Sequence, residues 1–395
     1  MKRTVAAILA ALLGVTLCSC GKGKASSRAV KLTVWSISAD KKVLDSMVDS
    51  FKEKNSGKSY DITVEYKSDD EIQNKLAEKS DDIADVFVFD DDRLDSLAKK
   101  GVLSPITSGK ESVMSQNISN SVDAAMIGDT LYAYPMSVEN GCVLYYDTRV
   151  ISNSQASSLE DILDACKESD KRFCMDISNA WYLSSFFFAA GCKVSIDSDG
   201  QQICDFDSSA GVSAAESIKK LNKNEHFISG SDGTLINGIG DSIAAGICGV
   251  WAADDISAKL GNNYGASKLP SVKIGGTEMQ MKSFVNYKLV GVSAQGNNKG
   301  EAMALAEWLT NEDNQQMRFK KSSLIPTNLT VLRTKEVKKD LAATALSVQT
   351  DYGISQREVL GSFWSPVSDF GEKIKSDSSK PVSDLLGKMV KSITK

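Results

Sequence analysis

The sequence is poor in histidine, which many catalytic and metal sites use. Its 395 residues contain one histidine, His226, which lies in the polar stretch KNEHFISG. Zinc sites with several histidines need more than one such residue, and a histidine-based triad would have to use His226 from this polar stretch. A phosphate-binding loop is also missing, because Gly238 and Gly240 are followed by Ile243 and not by a third glycine. These absences argue against most common enzyme classes.

An excess of positive charge and long apolar runs are lacking as well. The formal net charge is −5, so the chain lacks the basic surface that nucleic-acid binding requires. Beyond the N-terminus no run reaches the ~18 apolar residues of a membrane-spanning helix. We therefore expect neither a nucleic-acid partner nor an internal membrane span.

The N-terminal segment has the pattern of an export signal. Lys2 and Arg3 precede a short apolar stretch that ends in Leu17-Cys18-Ser19-Cys20. This ending resembles a bacterial lipobox, in which the last cysteine is lipidated after cleavage. The pattern predicts a signal peptide over residues 1–19 and a lipidated Cys20 that begins a flexible tether to residue 30. A plain secretory signal that ends in a cysteine is the alternative.

Six further cysteines are scattered through the chain without a C-x-x-C motif. An exported protein normally pairs its cysteines, but this spacing is not that of a compact disulfide framework. Free thiols are one interpretation. The other is a disulfide between Cys192 and Cys204, across a hairpin whose turn lies in DSDG.

The length suggests two domains, or two lobes of one interrupted domain. Segments with β-branched and aromatic residues, such as AVKLTVWSI, YDITVEYK and ADVFVF, alternate with amphipathic stretches of helical period. This alternation predicts an α/β fold with a mostly parallel sheet. Such sheets bind ligands beyond the carboxyl ends of their strands. Asp90 to Arg93 follow the third strand directly and occupy that position, whereas Asp90 and Asp91 are also explained as solvated or helix-capping residues.

Later segments give further expectations about structure. LYAYPMSVENGCVLYYD predicts a strand that stops at Pro135 and a fresh strand after Gly141, as in a chain that crosses between lobes. GDSIAAGICGVWAADDI predicts a helix, then a short strand that ends at Trp251. EAMALAEWLTNEDNQQMRFKK predicts one long helix.

Seven segments in order resemble the extracellular solute-binding proteins of carbohydrate ABC transporters, and among them those that bind maltose and maltodextrins. They are LTVW…ADK, ADVFVFDDDRLDSLAKKGVLSPI, LYAYPMSVENGCVLYYD, GDSIAAGICGVWAADDI, NNYGASKLPS, LAEWLTNEDNQQ and SFWSPV…VKSITK. The resemblance implies a two-lobe, periplasmic-binding-protein-like α/β fold with hinge strands and a ligand cleft between the lobes. The implied N-terminal lobe is residues 31–137 plus 285–330, and the implied C-terminal lobe is residues 138–284 plus 331–395.

The resemblance also implies sugar-binding residues. They are Asp40, Lys41, Phe89, Asp92, Arg93, Glu139, Tyr182 or its neighbour Trp181, Trp251 and Trp364. Two positions depart from the family pattern: Phe89 stands where a tryptophan is usual, and Ser368 stands where an arginine is usual. Trp308 and Trp35 are expected in the core.

These residue types suit a sugar. Flat aromatic rings cover its apolar C–H faces with few torsions to freeze. Ionised side chains form charge-assisted hydrogen bonds with its hydroxyls, and the arginine fork can bind two oxygens. The ligand cleft would close around the sugar by a hinge motion.

The expected function is therefore the substrate-binding part of an ABC sugar importer, a monomer held outside the cell by lipid on Cys20. It would bind an oligosaccharide and deliver it to the permease subunits without a cofactor or metal. Three alternatives stay open: another oligosaccharide, a sugar-sensing surface lipoprotein, and a glycosidase, which would need two carboxylates at a set separation.

Overall fold

A computed structural model describes residues 29–78, 82–376 and 379–395. The predicted signal peptide, Cys20 and most of the predicted tether lie outside the described residues. None of the helices within these ranges is long and apolar enough to cross a membrane.

The described chain alternates strands and helices. The strands are β1 (Val30–Ile37), β2 (Tyr60–Lys67), β3 (Val86–Asp90), β4 (Met126–Ile127), β5 (Thr130–Leu131), β6 (Ala133–Asp147), β7 (Arg172–Cys174), β8 (Val194–Ile196), β9 (Gln202–Cys204), β10 (Phe227–Ile228), β11 (Ile243–Gly249), β12 (Tyr264–Ser267), β13 (Ser271–Ile274), β14 (Thr277–Gln280), β15 (Ser283–Val292), β16 (Ile325–Pro326) and β17 (Gly353–Ile354). The helices are α1 (Lys41–Lys54), α2 (Asp69–Glu78), α3 (Leu94–Lys99), α4 (Lys110–Gln116), α5 (Ser119–Ala124), α6 (Leu159–Glu168), α7 (Ala180–Ala189), α8 (Ser209–Asn222), α9 (Asp232–Gly238), α10 (Ala253–Leu260), α11 (Lys299–Thr310), α12 (Glu312–Ser322), α13 (Leu329–Leu332), α14 (Lys335–Lys339), α15 (Leu341–Gln349), α16 (Trp364–Ser376) and α17 (Val382–Ile393).

Most strands belong to one mixed sheet in the order β10-β7-β11-β6-β15-β3-β1-β2. The outer groups are parallel: β1 pairs with β2 and β3, and β7 pairs with β10 and β11. The central strands β6 and β15 are antiparallel to each other and to their outer neighbours. The expectation of a mostly parallel sheet holds for each outer group, and the two long central strands join the groups.

Strand β6 runs unbroken through Pro135, so the predicted stop there is wrong. Its first half pairs with β15, and its second half pairs with β11 and β12. Proline cannot donate to a ladder, but the β6–β15 register shifts between Lys288 and Leu289, opposite Pro135. This irregularity tolerates the missing N–H, as bulges commonly do.

Two other element predictions are corrected. The run that ends at Gly249 is a fully buried seven-residue strand, β11, without the preceding helix, because a short apolar run fits either state by period alone. The predicted long helix is two helices, α11 and α12. The side chain of Asn311 accepts the N–H of Asn314 at 3.0 Å and so caps a new helix.

Buried apolar side chains form two clusters that meet along β6. One is built on β1 to β3 with α1, α11 and α15, and it extends over part of β11. The other is built on α7, α8, α16 and α17 and contains stacked rings such as Phe187 and Phe206, whose centroids are 4.2 Å apart. Two cores joined by long strands are what a two-lobe chain requires.

The predicted hairpin between Cys192 and Cys204 forms as β8 and β9, with Gly200 at φ 80° in its turn. The register pairs Cys204 with Val194 and not with Cys192. All six cysteines of the described ranges are free and buried. The disulfide expectation is therefore wrong, and burial raises the pKa of Cys192 to about 11 and that of Cys204 to about 12.

Candidate functional site

Trp251 is exposed at the end of β11, although tryptophan is usually well buried. Its residue surface is 52% accessible. The ring folds back over Gly249, where an added Cβ would lie 2.2 Å from ring carbons. Its Nε1 donates to Asp232 Oδ2 at 3.0 Å. Glycine at position 249 and the carboxylate of Asp232 therefore fix the direction of this ring.

Two more rings of α7 lie beside Trp251. The Trp181 ring centroid is 5.7 Å from that of Trp251 and 5.5 Å from that of Tyr182. The Tyr182 hydroxyl donates to Asp232 Oδ1 at 2.7 Å, and burial raises the Tyr182 pKa well above its usual value. We call Trp181, Tyr182 and Trp251, with the carboxylate of Asp232 that holds two of them, the aromatic platform.

The aromatic platform borders a cavity of about 360 Å³, which we call the platform cavity. Its other lining residues are Asn140 of β6, Asn179, Asn286 of β15 and Gln356. Asn140 and Asn286 are opposite each other in the β6–β15 register, and the Gln356 amide donates to the side-chain oxygen of Asn286. The cavity thus places carboxamides, which donate and accept hydrogen bonds, opposite flat apolar rings.

A second cavity of about 290 Å³ shares Asn140 and Trp251 with the first. It is lined by acidic side chains, Glu139, Asp254 and Asp340. Glu139 accepts a hydrogen bond from the Ser137 hydroxyl at 2.7 Å. Burial raises the Glu139 pKa, and nearby Lys288 opposes that rise. The two cavities adjoin at Asn140 and Trp251, and together we treat them as the candidate binding region.

A charged cluster lies at the carboxyl end of β3. Lys288 of β15 is almost fully buried, and its Nζ contacts Asp69 Oδ1 at 2.6 Å and Asp90 Oδ1 at 2.7 Å. Burial by itself lowers the Lys288 pKa, but Asp90 and Asp69 outweigh burial and raise it. We call Asp69, Asp90, Asp92 and Lys288 the charged cluster.

Asp91 is not solvated, contrary to one of the two sequence interpretations. Its carboxylate accepts the N–H of Tyr287 at 2.9 Å and the hydroxyl of Ser355 at 3.0 Å. Burial raises the Asp91 pKa to about 7 although both hydrogen bonds favour the charged form. Asp90 and Asp91 therefore hold the tip of β3 to β15 and to the chain after β17.

Asp40 is inside the core and lines neither cavity around Trp251, so its predicted role as a sugar clamp is corrected. It is fully buried and paired with buried Arg318, with Nε to Oδ1 at 2.9 Å and Nη2 to Oδ2 at 3.2 Å. Ser36 donates to the same carboxylate. Lys41 is exposed instead, with its Nζ 4.4 Å from the centroid of the Tyr66 ring. Desolvation of Asp40 is compensated by Arg318, which leaves no oxygen for a ligand.

Phe89 is also corrected, because its ring is wholly inside the core. It has no accessible surface, its centroid is 5.9 Å from that of Phe87, and it approaches Gly291 closely. A ring covered on both faces cannot stack on a sugar. Asp92 and Arg93, three and four residues later, are partly accessible and contact each other at 3.5 Å.

The remaining predicted residues divide into two groups. Glu139, Tyr182 and Trp251 line the two cavities, and Trp181, the alternative to Tyr182, offers the more accessible ring of that pair. Trp364 packs instead against Phe284 and Phe363, each at a centroid distance of 5.3 Å. The structure therefore assembles the predicted aromatic residues only in part.

Sequence reasoning missed Asp232 and the carboxamides. Asp232 follows β10, which is parallel to β7, so it stands at the carboxyl end of a parallel strand. The rule that singled out Asp90 to Arg93 applies equally to FISGSDG. Asn140, Asn286 and Gln356 gave no local signal, because the pairing of β6 with β15 brings the two asparagines together and Gln356 joins them through its bond to Asn286.

Within the described ranges, no group of three or more histidine, cysteine or acidic side chains is arranged to hold a metal ion. The candidate region instead combines aromatic faces, carboxamides and carboxylates. Such a surface can cover the apolar face of a polyhydroxylated solute and bond its rim.

Known proteins share this fold. The ligand-free maltodextrin-binding protein of L. casei BL23 superimposes with a TM-score of 0.78 over 93% of this chain and 99% of that one, at 21% identity. A cyclo/maltodextrin-binding protein complexed with maltotetraose gives 0.78 over 94% and 98%, at 21% identity. The maltose-binding periplasmic protein of Listeria monocytogenes, in complex with maltose, gives 0.77 over 92% and 97%, at 20% identity. The expected two-lobe α/β fold is confirmed.

Sequence comparison reaches the same class of protein. A curated relative, the galactooligosaccharide-binding protein of Bacillus subtilis (strain 168), is 24% identical over 95% of this chain and 92% of its own length. The profile of the bacterial extracellular solute-binding proteins matches residues 46–345. Its members bind solutes and are not enzymes, which removes the glycosidase alternative that the sequence left open. This chain belongs to the bacterial extracellular solute-binding protein family.

Proposed function

We propose that this protein is the extracellular substrate-binding component of an ABC sugar importer, and that it binds maltodextrin-type oligosaccharides, including maltose, between its lobes. The observation that supports this most is the aromatic platform with its shared carboxylate, facing carboxamides from both central strands. An aromatic surface bordered by hydrogen-bonding groups suits a sugar better than a peptide or an ion.

Delivery follows from the two-lobe architecture. A sugar held by the platform and by Asn140 and Asn286 would touch the strands that join the lobes, and so favour the closed arrangement. In this proposal the lobes are residues 31–137 plus 285–330 and residues 138–284 plus 331–395. A lipid on Cys20 would keep the protein beside the permease subunits, and more than one acyl chain would be needed for stable anchoring.

The test is isothermal titration calorimetry on residues 21–395 with maltose, maltotriose, longer maltodextrins, galactooligosaccharides and unrelated oligosaccharides. We expect heat with α-glucans and at least ~10-fold weaker binding for Trp251→Ala, since a central tryptophan typically contributes above ~2 kcal/mol. Trp308→Phe is the matched control, because Trp308 lies on α11 and donates to the Met47 carbonyl, far from the platform.

Each other outcome has a distinct meaning. Heat with galactooligosaccharides alone keeps the transport role and replaces the ligand, in line with the Bacillus subtilis relative. Silence with every sugar contradicts the proposal and favours a surface protein that recognises another partner. Co-purification of the full-length protein with permease subunits tests the importer assignment separately.

A further inference from the structure

A short segment between β17 and α16, residues 355–360, connects both cores. At its start the Ser355 hydroxyl donates to Asp91 Oδ2 at 3.0 Å. At its end the Leu360 N–H donates to Gln202 Oε1 at 2.6 Å, and Gln202 Nε2 donates to the Glu358 carbonyl at 2.8 Å. Asp91 follows β3 and Gln202 begins β9, so this segment, which we call the strap, is tied to elements of each core.

Successive strap residues contact different cavities. Gln356 lines the platform cavity beside Asn286. Arg357 lines another cavity of about 670 Å³, together with Val285 and Tyr287. Because side chains alternate along β15, Asn286 and its two neighbours face opposite sides of that strand. The strap therefore places Gln356 on the solute side and Arg357 on the reverse side.

Arg357 is held tightly on that reverse side. Its guanidinium forms a bidentate pair with Asp95 of α3, with Nε to Oδ2 at 2.9 Å and Nη2 to Oδ1 at 2.7 Å. Its Nη1 donates to the carbonyls of Asp123 and Met126 at 3.2 and 3.0 Å. The arginine side chain is only 15% accessible. Two-point pairing with a carboxylate fixes both position and orientation.

We propose that Arg357 is a positioning residue for solute binding, which acts by fixing the strap so that the Gln356 carboxamide is presented to the solute. The identity of the solute in this inference rests on the proposed function, whereas the contacts of Arg357 and Gln356 do not depend on it. Arg357 itself does not line the platform cavity. Without the pair to Asp95, the strap would have to be ordered at the moment of binding, which weakens affinity by about three- to tenfold.

The experiment is a double-mutant cycle on residues 21–395. Arg357→Gln, Gln356→Ala and the double variant are titrated with the sugar that gives heat with the wild type. We expect about fivefold weaker binding for Arg357→Gln. If Arg357 acts through Gln356, the Arg357→Gln substitution should cause little further loss of affinity in the Gln356→Ala variant, because the effects of coupled residues are not additive. Arg357→Lys keeps the charge without the fork and should recover little of the affinity.

A matched control is available in Arg149, which pairs in the same manner with Asp147, Nη2 to Oδ2 at 2.6 Å. Arg149→Gln should leave the affinity unchanged. Equal losses in the Arg149 and Arg357 variants would overturn the proposal, since they indicate a general effect on stability. Fully additive losses in the cycle would overturn it too, since they show that Arg357 and Gln356 act independently.

Hydrogen exchange of the ligand-free proteins separates this inference from the proposed function. Arg357→Gln should speed exchange at the N–H groups of Arg357 and Leu360, which bond Ser355 Oγ and Gln202, and leave residues 147–151 unchanged. If no sugar binds the wild type, the proposed function fails, and exchange alone decides whether Arg357 orders the strap. Unchanged exchange in the strap would refute that role whatever the sugar result.

Discussion

The charged cluster and the aromatic platform both contain carboxylates, and they use them differently. In the charged cluster, Asp69 and Asp90 both form ion pairs with the buried Lys288. Their charge is thereby neutralised, and the pair with Asp90 fixes β3 against β15. In the platform, one carboxylate receives two neutral donors, Tyr182 and Trp251, and leaves the tryptophan face accessible. In both regions the carboxylates hold other side chains in place, and only in the platform does this leave a ring face accessible.

The same contrast appears within the residues expected to bind sugar. Asp40 is the most deeply buried of the acids and has a buried cationic partner, whereas Asp232, which is not in that set, orients exposed rings. We expect burial and pairing, and not residue type, to separate structural carboxylates from binding ones.

Removing the cation of the buried pair should have the largest effect. Arg318→Ala leaves Asp40 charged and unpaired inside the core, and we expect the free energy of unfolding to fall by about 3–5 kcal/mol. Denaturant unfolding measures it. Lys320→Ala on the same helix is the control, because its pair with Glu336 is exposed at 4.0 Å and should contribute under ~1 kcal/mol. Similar losses of unfolding free energy in both variants would show that the buried pair is no more important for stability than the exposed one.

Asp91 should give a pH-dependent stability. Its pKa is about 7 in the folded protein against a usual 3.8, because burial disfavours the charged form. Between these values the folded protein holds a proton that the unfolded chain has released, so its contribution to stability falls as pH rises from about 4 to about 7. Relative to Asp91→Asn, the wild type should lose on the order of 2–4 kcal/mol over that range.

The measurement for Asp91 is urea unfolding at several pH values between 4 and 8 for the wild type, Asp91→Asn and Asp61→Asn. The last variant changes an exposed carboxylate of β2 and should run parallel to the wild type. If the free energy of unfolding of Asp91→Asn and of the wild type depended on pH in the same way, burial would not raise the pKa of Asp91.

The platform carboxylate should affect binding more than stability. Asp232→Asn keeps one acceptor for two donors, so either Tyr182 or Trp251 loses its fixed orientation. We expect about three- to tenfold weaker sugar binding, the effect of one lost hydrogen bond. Titration calorimetry measures it, with Asp161→Asn in the exposed first turn of α6 as control. Unchanged affinity would mean that packing alone orients the rings.

Lys41 should have the smallest effect. It is exposed above the Tyr66 ring, where a cation–π contact contributes ~0.5–1 kcal/mol to stability. Lys41→Ala should therefore lower the unfolding midpoint slightly and leave sugar affinity unchanged. A clear loss of affinity would restore Lys41 as a sugar contact and require that lobe closure brings it to the ligand.

Local pattern was informative where a residue's role depends on its own segment. The strand AVKLTVWSI and the amphipathic helix after it form as predicted. Trp251, singled out from its place near a strand end, lines the platform cavity. The pattern gave a wrong prediction for β11, because a short apolar run fits a helix and a strand equally well. It also missed the break at Asn311, because a single capping side chain divides the two helices there.

The sequence by itself determined the alternation of strands and helices, the two-lobe class and the presence of aromatic residues near strand ends, since these follow from hydrophobic period and motif order. Only the tertiary structure decided which charges are available. Arg318 neutralises Asp40 from 278 positions away, Asp232 joins Tyr182 to Trp251, and β6–β15 pairing sets Asn140 against Asn286. Burial and ion pairing depend on groups distant in the chain, and no local pattern encodes them.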